Sequence, residues 1–174
     1  FIPGLQASRL YKDDNMLWEP NRNDDVKKMF MDSQGVSVDS YILTKDIIDS
    51  AYGVKNIYKN FIKSMDSLVT DGHINDWLPF PYDWRKGVYD VVDQNVLDKV
   101  YEMATTSKTG RLTVISHSNG GLVTKALMKV LEEEDKADIV EKILFVAIPE
   151  LGTPKSILSM LHGHGEGIVG GALL

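Results

Sequence analysis

Cysteine is absent from this chain, so neither disulfides nor thiolate chemistry contribute to its fold or its reactions, and the redox compartment stays open. Long apolar runs are missing too. No stretch approaches the ~18 residues needed to cross a bilayer, and no basic segment leads into an apolar signal core at the start. Excess positive charge is also lacking. The 174 residues carry a formal charge of -6, spread along the chain, which argues against a nucleic-acid partner bound through phosphate neutralisation.

What is present is the composition of one globular domain, 43% hydrophobic and 25% charged. No repeat or low-complexity segment occurs. The chain opens on an apolar Phe1-Ile2-Pro3-Gly4 and stops on a glycine-rich, apolar stretch without a closing element. We expect part of a larger domain, over 1–174, with 155–174 forming the start of a lid or a mobile segment.

The segments alternate between two hydrophobic periods. Apolar residues at helical spacing over 57–69, ending at Asp71-Gly72, predict one amphipathic helix. The four-residue spacing of Val88, Val92, Val96 and Val100 predicts a second over 88–104. A β-branched run over 111–115 predicts a strand, and Leu122, Val123, Ala126, Leu127, Val130 and Leu131 a third helix. Residues 142–148 read as another buried strand, closed by Pro149. Strands alternating with helices imply an α/β class, with a mainly parallel sheet and helices on both faces. Residues 5–55, broken by polar clusters, read as a long excursion with one helix near 24–32, and the tail as helical from Ser156 to about Leu161.

The stretch Ser116-His117-Ser118-Asn119-Gly120 has the small-x-Ser-x-Gly form of a nucleophile elbow, a serine held on a sharp turn between a strand and a helix. The serine's neighbours two positions away must be small, which Ser116 and Gly120 satisfy. The helix that follows aims its first amides at the same point, so the N–H of Asn119 can stabilise charge on a substrate oxygen. A plain β-to-α turn would need small residues as well. The strand before and the helix after are the context that favours the elbow.

Taken in order, Pro3-Gly4-Leu5, Pro81-Tyr82-Asp83-Trp84-Arg85, the elbow, and Leu151-Gly152-Thr153-Pro154 make the sequence resemble the α/β-hydrolase superfamily, and within it lipases of the lecithin:cholesterol acyltransferase type. The resemblance runs from Phe1 to about Pro154. It implies an incomplete α/β-hydrolase fold whose first and last strands are missing. It also implies a serine esterase or lipase acting on lipid-like carboxylic esters, with Ser118 as nucleophile and the backbone N–H groups of Leu5 and Asn119 as the oxyanion hole. Lipid acyltransfer is the close variant, and a non-catalytic α/β binding module is the alternative from another class. Export is implied by analogy only, and no cofactor is.

His117 is expected to pack beside the nucleophile rather than act as base. Asp83, Trp84 and Arg85 are expected to be structural rather than to touch substrate, with Arg85 on a carboxylate and Trp84 beneath it. Acyl transfer through serine needs a base and an acid to orient it, and in this fold they follow the serine as acid, then histidine. Beyond Ser118 the histidines are His162 and His164, too early in the chain for that role, and His73 lies upstream. The relay is therefore not recognisable, and this segment alone is expected to turn over little. A missing relay is also what the binding module would show.

Two metal readings are weaker. His162, His164 and Glu166 alternate with glycines and would share one side of a strand, but five glycines over 163–171 give ligands no rigid support. The Asp and Asn cluster at 13–25 lacks the spacing of a calcium loop. Strand edges left by absent neighbours are expected to favour self-association, or association with the missing part of the fold.

Overall fold

The computed structural model describes residues 1–162. In chain order the elements are β1 (Ser8–Lys12), β2 (Asn15–Trp18), α1 (Asn23–Lys28), β3 (Ile42–Ile47), β4 (Ser50–Ala51), β5 (Lys55–Asn56), α2 (Lys59–Thr70), α3 (Gln94–Thr106), β6 (Leu112–His117), α4 (Gly120–Glu133), β7 (Val140–Val146) and α5 (Pro154–His162). The class is mixed α/β, with one parallel strand pair and two small antiparallel sheets.

The parallel part centres on β6, which pairs with β7 from Leu112↔Val140 to His117↔Val146. On the other side of β6 runs Ile2, whose N–H donates to Ile115 O (2.9 Å) and whose carbonyl accepts from His117 N (3.0 Å). One step further out, Phe1 N donates to Leu78 O (2.8 Å) and Phe1 O accepts from Phe80 N (2.8 Å). Both pairs of bonds have the slanted pattern of parallel neighbours. Four stretches thus lie side by side in the order 78–80, 1–2, β6, β7.

Residues 5–55 depart from expectation. Instead of an irregular excursion they form the antiparallel sheet β2-β1-β3 and the ribbon β4-β5, so pairs of antiparallel strands outnumber the parallel pair among the described residues. The polar cluster at 12–15 is the hairpin turn: Lys12 pairs with Asn15, leaving Asp13 and Asp14 as a two-residue loop, with Asp13 at φ 54°. Short polar side chains tolerate that left-handed geometry. Leu10 and Leu17 are completely buried beneath this sheet with Met29 and Ile42. The helix expected near 24–32 stops at Lys28. Just beyond it the Asp32 carboxylate accepts from Gln34 N and Val36 N, both at 2.9 Å, and such a side-chain turn competes with helical bonding.

Other boundaries shift less. The helix expected over 57–69 is α2, and the one expected over 122–131 is α4. The one expected from 88 begins at Gln94, because Val88 to Val92 form turns and Asp93 caps α3 by accepting from Val96 N at 3.1 Å. The strand expected over 142–148 is β7, which breaks at Ala147 (φ 51°). It is not buried as expected: Leu144, Phe145 and Val146 are about half exposed. The expected helix from Ser156 is α5, while the rest of the expected lid segment lies outside the described residues.

The main core joins Ile2, Tyr82, Val91, Leu97 of α3, Val114 of β6, and Val123, Leu127 and Leu131 of α4. Alternate residues of β6 point opposite ways. Ser116 turns toward α4, where its hydroxyl meets Thr124 Oγ1 at 2.6 Å. His117 turns the other way, to Tyr58 at the start of α2. This packing carries the end of β6, and the turn that follows it, to one end of the core.

Candidate active site at the end of strand β6

Ser118 is the single residue between β6 and α4 that adopts a left-handed backbone, with φ 51°. For a non-glycine residue that geometry costs on the order of 1–3 kcal/mol and persists only when its surroundings impose it. The surroundings are explicit. Ser118 N donates to Val146 O at 2.9 Å, tying the turn to the end of β7, and Ser118 O accepts from Gly121 N at 3.0 Å, starting the first helical turn.

The glycines after Ser118 are required by contact. A Cβ on Gly120 would sit 2.4 Å from the carbonyl oxygens of both Ile2 and Pro3, and one on Gly121 would sit 2.0 Å from Ile148 Cδ1. Helix α4 can therefore begin hard against the segment 2–4. Thr124 braces the same junction from below, donating to Gly120 O at 2.9 Å while meeting Ser116 Oγ.

The turn after Pro3 lies against the elbow. A Cβ on Gly4 would be 3.2 Å from Ser118 Cβ and 3.1 Å from His117 Nδ1. Leu5, the next residue, is 56% exposed. The two segments that carry the Leu5 and Asn119 amides are thus brought together around Ser118. Among the described residues neither amide N–H has an internal backbone acceptor.

Both side chains that flank Ser118 are held by tyrosine hydroxyls. Asn119 Nδ2 donates to Tyr82 Oη at 3.0 Å. Tyr58 Oη accepts from Gly4 N at 3.0 Å and lies 2.7 Å from His117 Nδ1. Burial pushes the Tyr82 hydroxyl up to about 12, and raises that of Tyr58 against the opposing pull of the Gly4 N–H. Both remain neutral phenols near neutral pH. Burial also lowers the pKa of His117, favouring the neutral ring.

His117 lies beside Ser118, as expected, with Nδ1 at 2.7 Å from Tyr58 Oη. Asp83 and Arg85 are structural, as expected. Arg85 Nη2 and Nε bond the two oxygens of Asp83 at 2.6 and 2.9 Å, and Nη1 reaches Met29 O and Ser37 Oγ. Trp84 is structural too, as expected: it lies edge-on to Trp18 at 4.9 Å and donates from Nε1 to Ser8 O. The PYDWR stretch therefore clamps the antiparallel sheet onto the core, while its Tyr82 reaches the site.

Tyr58, Tyr82, Gly4 and Thr124 carry the site's second layer of support, and sequence reasoning assigned them no such role. The signals available were a hydroxyl-bearing aromatic in the stripe at 57–69 and another in the PYDWR stretch. Among the described residues no group stands within hydrogen-bonding reach of Ser118 Oγ to serve as its base. The metal reading at His164 and Glu166 lies outside the described residues, as does the side chain of His162; no cluster of three metal-binding side chains occurs among the described residues. None of the helices described is long and apolar enough to cross a membrane.

A cavity of about 390 Å³ lies elsewhere, between α2, α3 and β6, against Leu68, Trp77, Val96, Val100 and Val114. Ser118 is not part of its wall.

The sequence profile of the lecithin:cholesterol acyltransferase family matches residues 23–171. No curated protein and no solved structure shows a significant match to the chain. With that match over most of its length, and with a serine on a strained strand-to-helix turn, the chain belongs to the lecithin:cholesterol acyltransferase family of acyltransferase- and lipase-like enzymes.

Proposed function

We propose that the chain is part of a serine esterase or lipase acting on lipid carboxylic esters, built on an incomplete α/β-hydrolase fold, with Ser118 as its nucleophile. The observation that carries this reading is Ser118 at φ 51° at the end of β6, with α4 pressed against the turn at 3–5. Four parallel stretches with helix contacts on opposite faces of β6 support the fold.

On this reading Ser118 Oγ attacks the ester carbonyl carbon and gives its proton to a base. The carbonyl π electrons move onto oxygen, where the amides of Leu5 and Asn119 stabilise them. Collapse of this intermediate breaks the bond to the alcohol, which leaves with the proton and yields acyl-Ser118. Water then attacks the acyl carbon, releasing a carboxylic acid and regenerating the hydroxyl. The base and its orienting acid are supplied by residues outside those described. The chain alone retains only the residual rate that binding and the oxyanion hole provide.

Acyltransfer differs in one step: an acceptor alcohol takes the place of water. The family match favours keeping this second reading. Adding a lipid alcohol to the assay separates the two, since acyltransfer yields a new ester in place of free acid.

The test uses the intact natural protein with a fluorophosphonate probe and p-nitrophenyl esters. Labelling and turnover that both vanish in Ser118→Ala support the reading. A natural protein that neither labels nor turns over, yet binds lipid, is a binding module instead.

A further inference from the structure

The contact that links the two halves of the site most directly is a single oxygen atom. Tyr58 Oη accepts a hydrogen bond from Gly4 N at 3.0 Å and lies 2.7 Å from His117 Nδ1. Gly4 precedes Leu5 in the turn beside the elbow, and His117 precedes Ser118 in the elbow itself.

A buried tyrosine needs one partner to satisfy its hydroxyl. Tyr58 has two, on segments far apart in the chain, and both lie against the elbow. Its own position leaves the oxygen little freedom. The amides of Ile57, Tyr58 and Lys59 all donate to Asp49 O at 2.9 to 3.0 Å, fixing the start of α2. Tyr58 is 8% exposed, and its ring meets Phe1 edge-on at 5.0 Å. Gly4 N–H donates to the phenol oxygen, and a phenol proton given to His117 Nδ1 would place the imidazole proton on Nε2.

We propose that Tyr58 is a positioning residue for the reaction, setting the distance between the Leu5 amide and Ser118 by holding Gly4 and His117 on one hydroxyl. This rests on the reading of Ser118 as nucleophile and adds to it the group that keeps the two sides of the oxyanion site in register. Electrostatic stabilisation depends on donors already aimed at the developing charge, and small misplacements are costly in rate. With its hydroxyl taken up by Gly4 and His117, Tyr58 acts through those two residues, and on this proposal its effect falls on the transition state rather than on substrate binding.

The test is made on the intact natural protein with p-nitrophenyl esters. Tyr58→Phe removes one oxygen and keeps the ring. Expected is a fall in kcat of about tenfold or more with KM unchanged, accompanied by a changed NMR shift of the Gly4 amide. A Tyr58→Phe enzyme with unaltered kcat, or with kcat preserved and only thermal stability reduced, would overturn the proposal while leaving Ser118 in place. Turnover that survives Ser118→Ala would overturn the reaction reading and this role with it. Should Tyr58→Phe fail to fold, ¹⁵N NMR of the unsubstituted protein decides: a hydrogen-bonded His117 Nδ1 together with a slowly exchanging Gly4 amide supports the arrangement. An Nδ1 free of hydrogen bonding, or a Gly4 amide that exchanges as fast as an exposed one, defeats it.

Discussion

The side-chain amide of Asn119 donates to Tyr82 Oη at 3.0 Å, so the residue after the elbow serine is tethered to the middle of the PYDWR stretch. Tyr82 is 3% exposed and its backbone N–H is held by Ser8 Oγ at 3.1 Å. Removing only the hydroxyl, in Tyr82→Phe, keeps the packing and leaves the Asn119 amide without this partner. Because Asn119 is partly exposed, water can replace some of the loss. Stability should fall by about 1 kcal/mol, measured by thermal denaturation, and ester turnover should fall several-fold. Unchanged turnover would show that the Asn119 side chain does not position its own backbone.

The two elbow glycines should differ in tolerance. At Gly120 an added methyl meets the backbone carbonyls of Ile2 and Pro3, whereas at Gly121 it meets both branches of the Ile148 side chain. A side chain can shift aside at some cost, while the backbone at Gly120 cannot move without carrying the segment 2–4 with it. Gly120→Ala should therefore lose more stability than Gly121→Ala, and more activity if both fold. Equal losses in urea denaturation would contradict the assigned contacts.

Arg85 is nearly enclosed, with its side chain 5% exposed and that of Asp83 12%. Breaking such a pair strands a buried charge and costs about 3–5 kcal/mol. Arg85→Lys should also destabilise, since an ammonium cannot reproduce the two-pronged bond to Asp83 or reach Met29 O and Ser37 Oγ at once. The double variant Arg85→Ala with Asp83→Ala should lose less than the sum of the single losses. Strict additivity of the denaturation free energies would rule out the coupling.

His117 makes stability depend on pH in a direction its burial fixes. Its pKa in the folded protein lies below the ordinary value of 6.5, so the unfolded chain takes up its proton first as pH falls. The sign follows: this contribution to stability is intact above about 6.5, declines as pH drops from there through the folded-state pKa, and is constant below it. Comparing thermal midpoints of the natural protein and His117→Gln between about pH 8 and pH 5 isolates the effect. The natural protein should lose more on acidification. A parallel pair of curves would show that His117 does not carry it.

The sequence showed the site's centre more clearly than its supports. Ser118, Asn119 and the paired glycines stand next to one another, so five letters and a flanking change of period were enough to mark the strand-to-helix turn. Helices α2 and α4 were visible for the same reason, since an amphipathic stripe is a local pattern. The antiparallel sheet at 8–47 was not. Its strands are short, and their polar turn residues look like a loop unless Asp13-Asp14 is recognised as a two-residue hairpin. The bonds from Tyr58 to Gly4 and from Tyr82 to Asn119 join residues far apart in the chain. Nothing in the local periodicity can announce such partners. The exposure of β7 was hidden for a related reason: an apolar run signals that a strand can be covered, while what covers it is decided by other parts of a fold.

The pairing of Ile2 with Ser116 has a consequence for how the molecule is made. A contact between chain segments so far apart closes a very large loop, and the entropy of that closure must be met before the contact brings any return. Helices and hairpins can form early from neighbouring residues, whereas the seat of Ser118 has no local version. A collapsed intermediate could show nearly all the helical signal of the native protein and still present its serine on a relaxed backbone, unreactive to any probe. Chemical reactivity at Ser118 would then be the last property to return on refolding, and its lag behind circular dichroism would time the docking of the segment at Ile2 against β6.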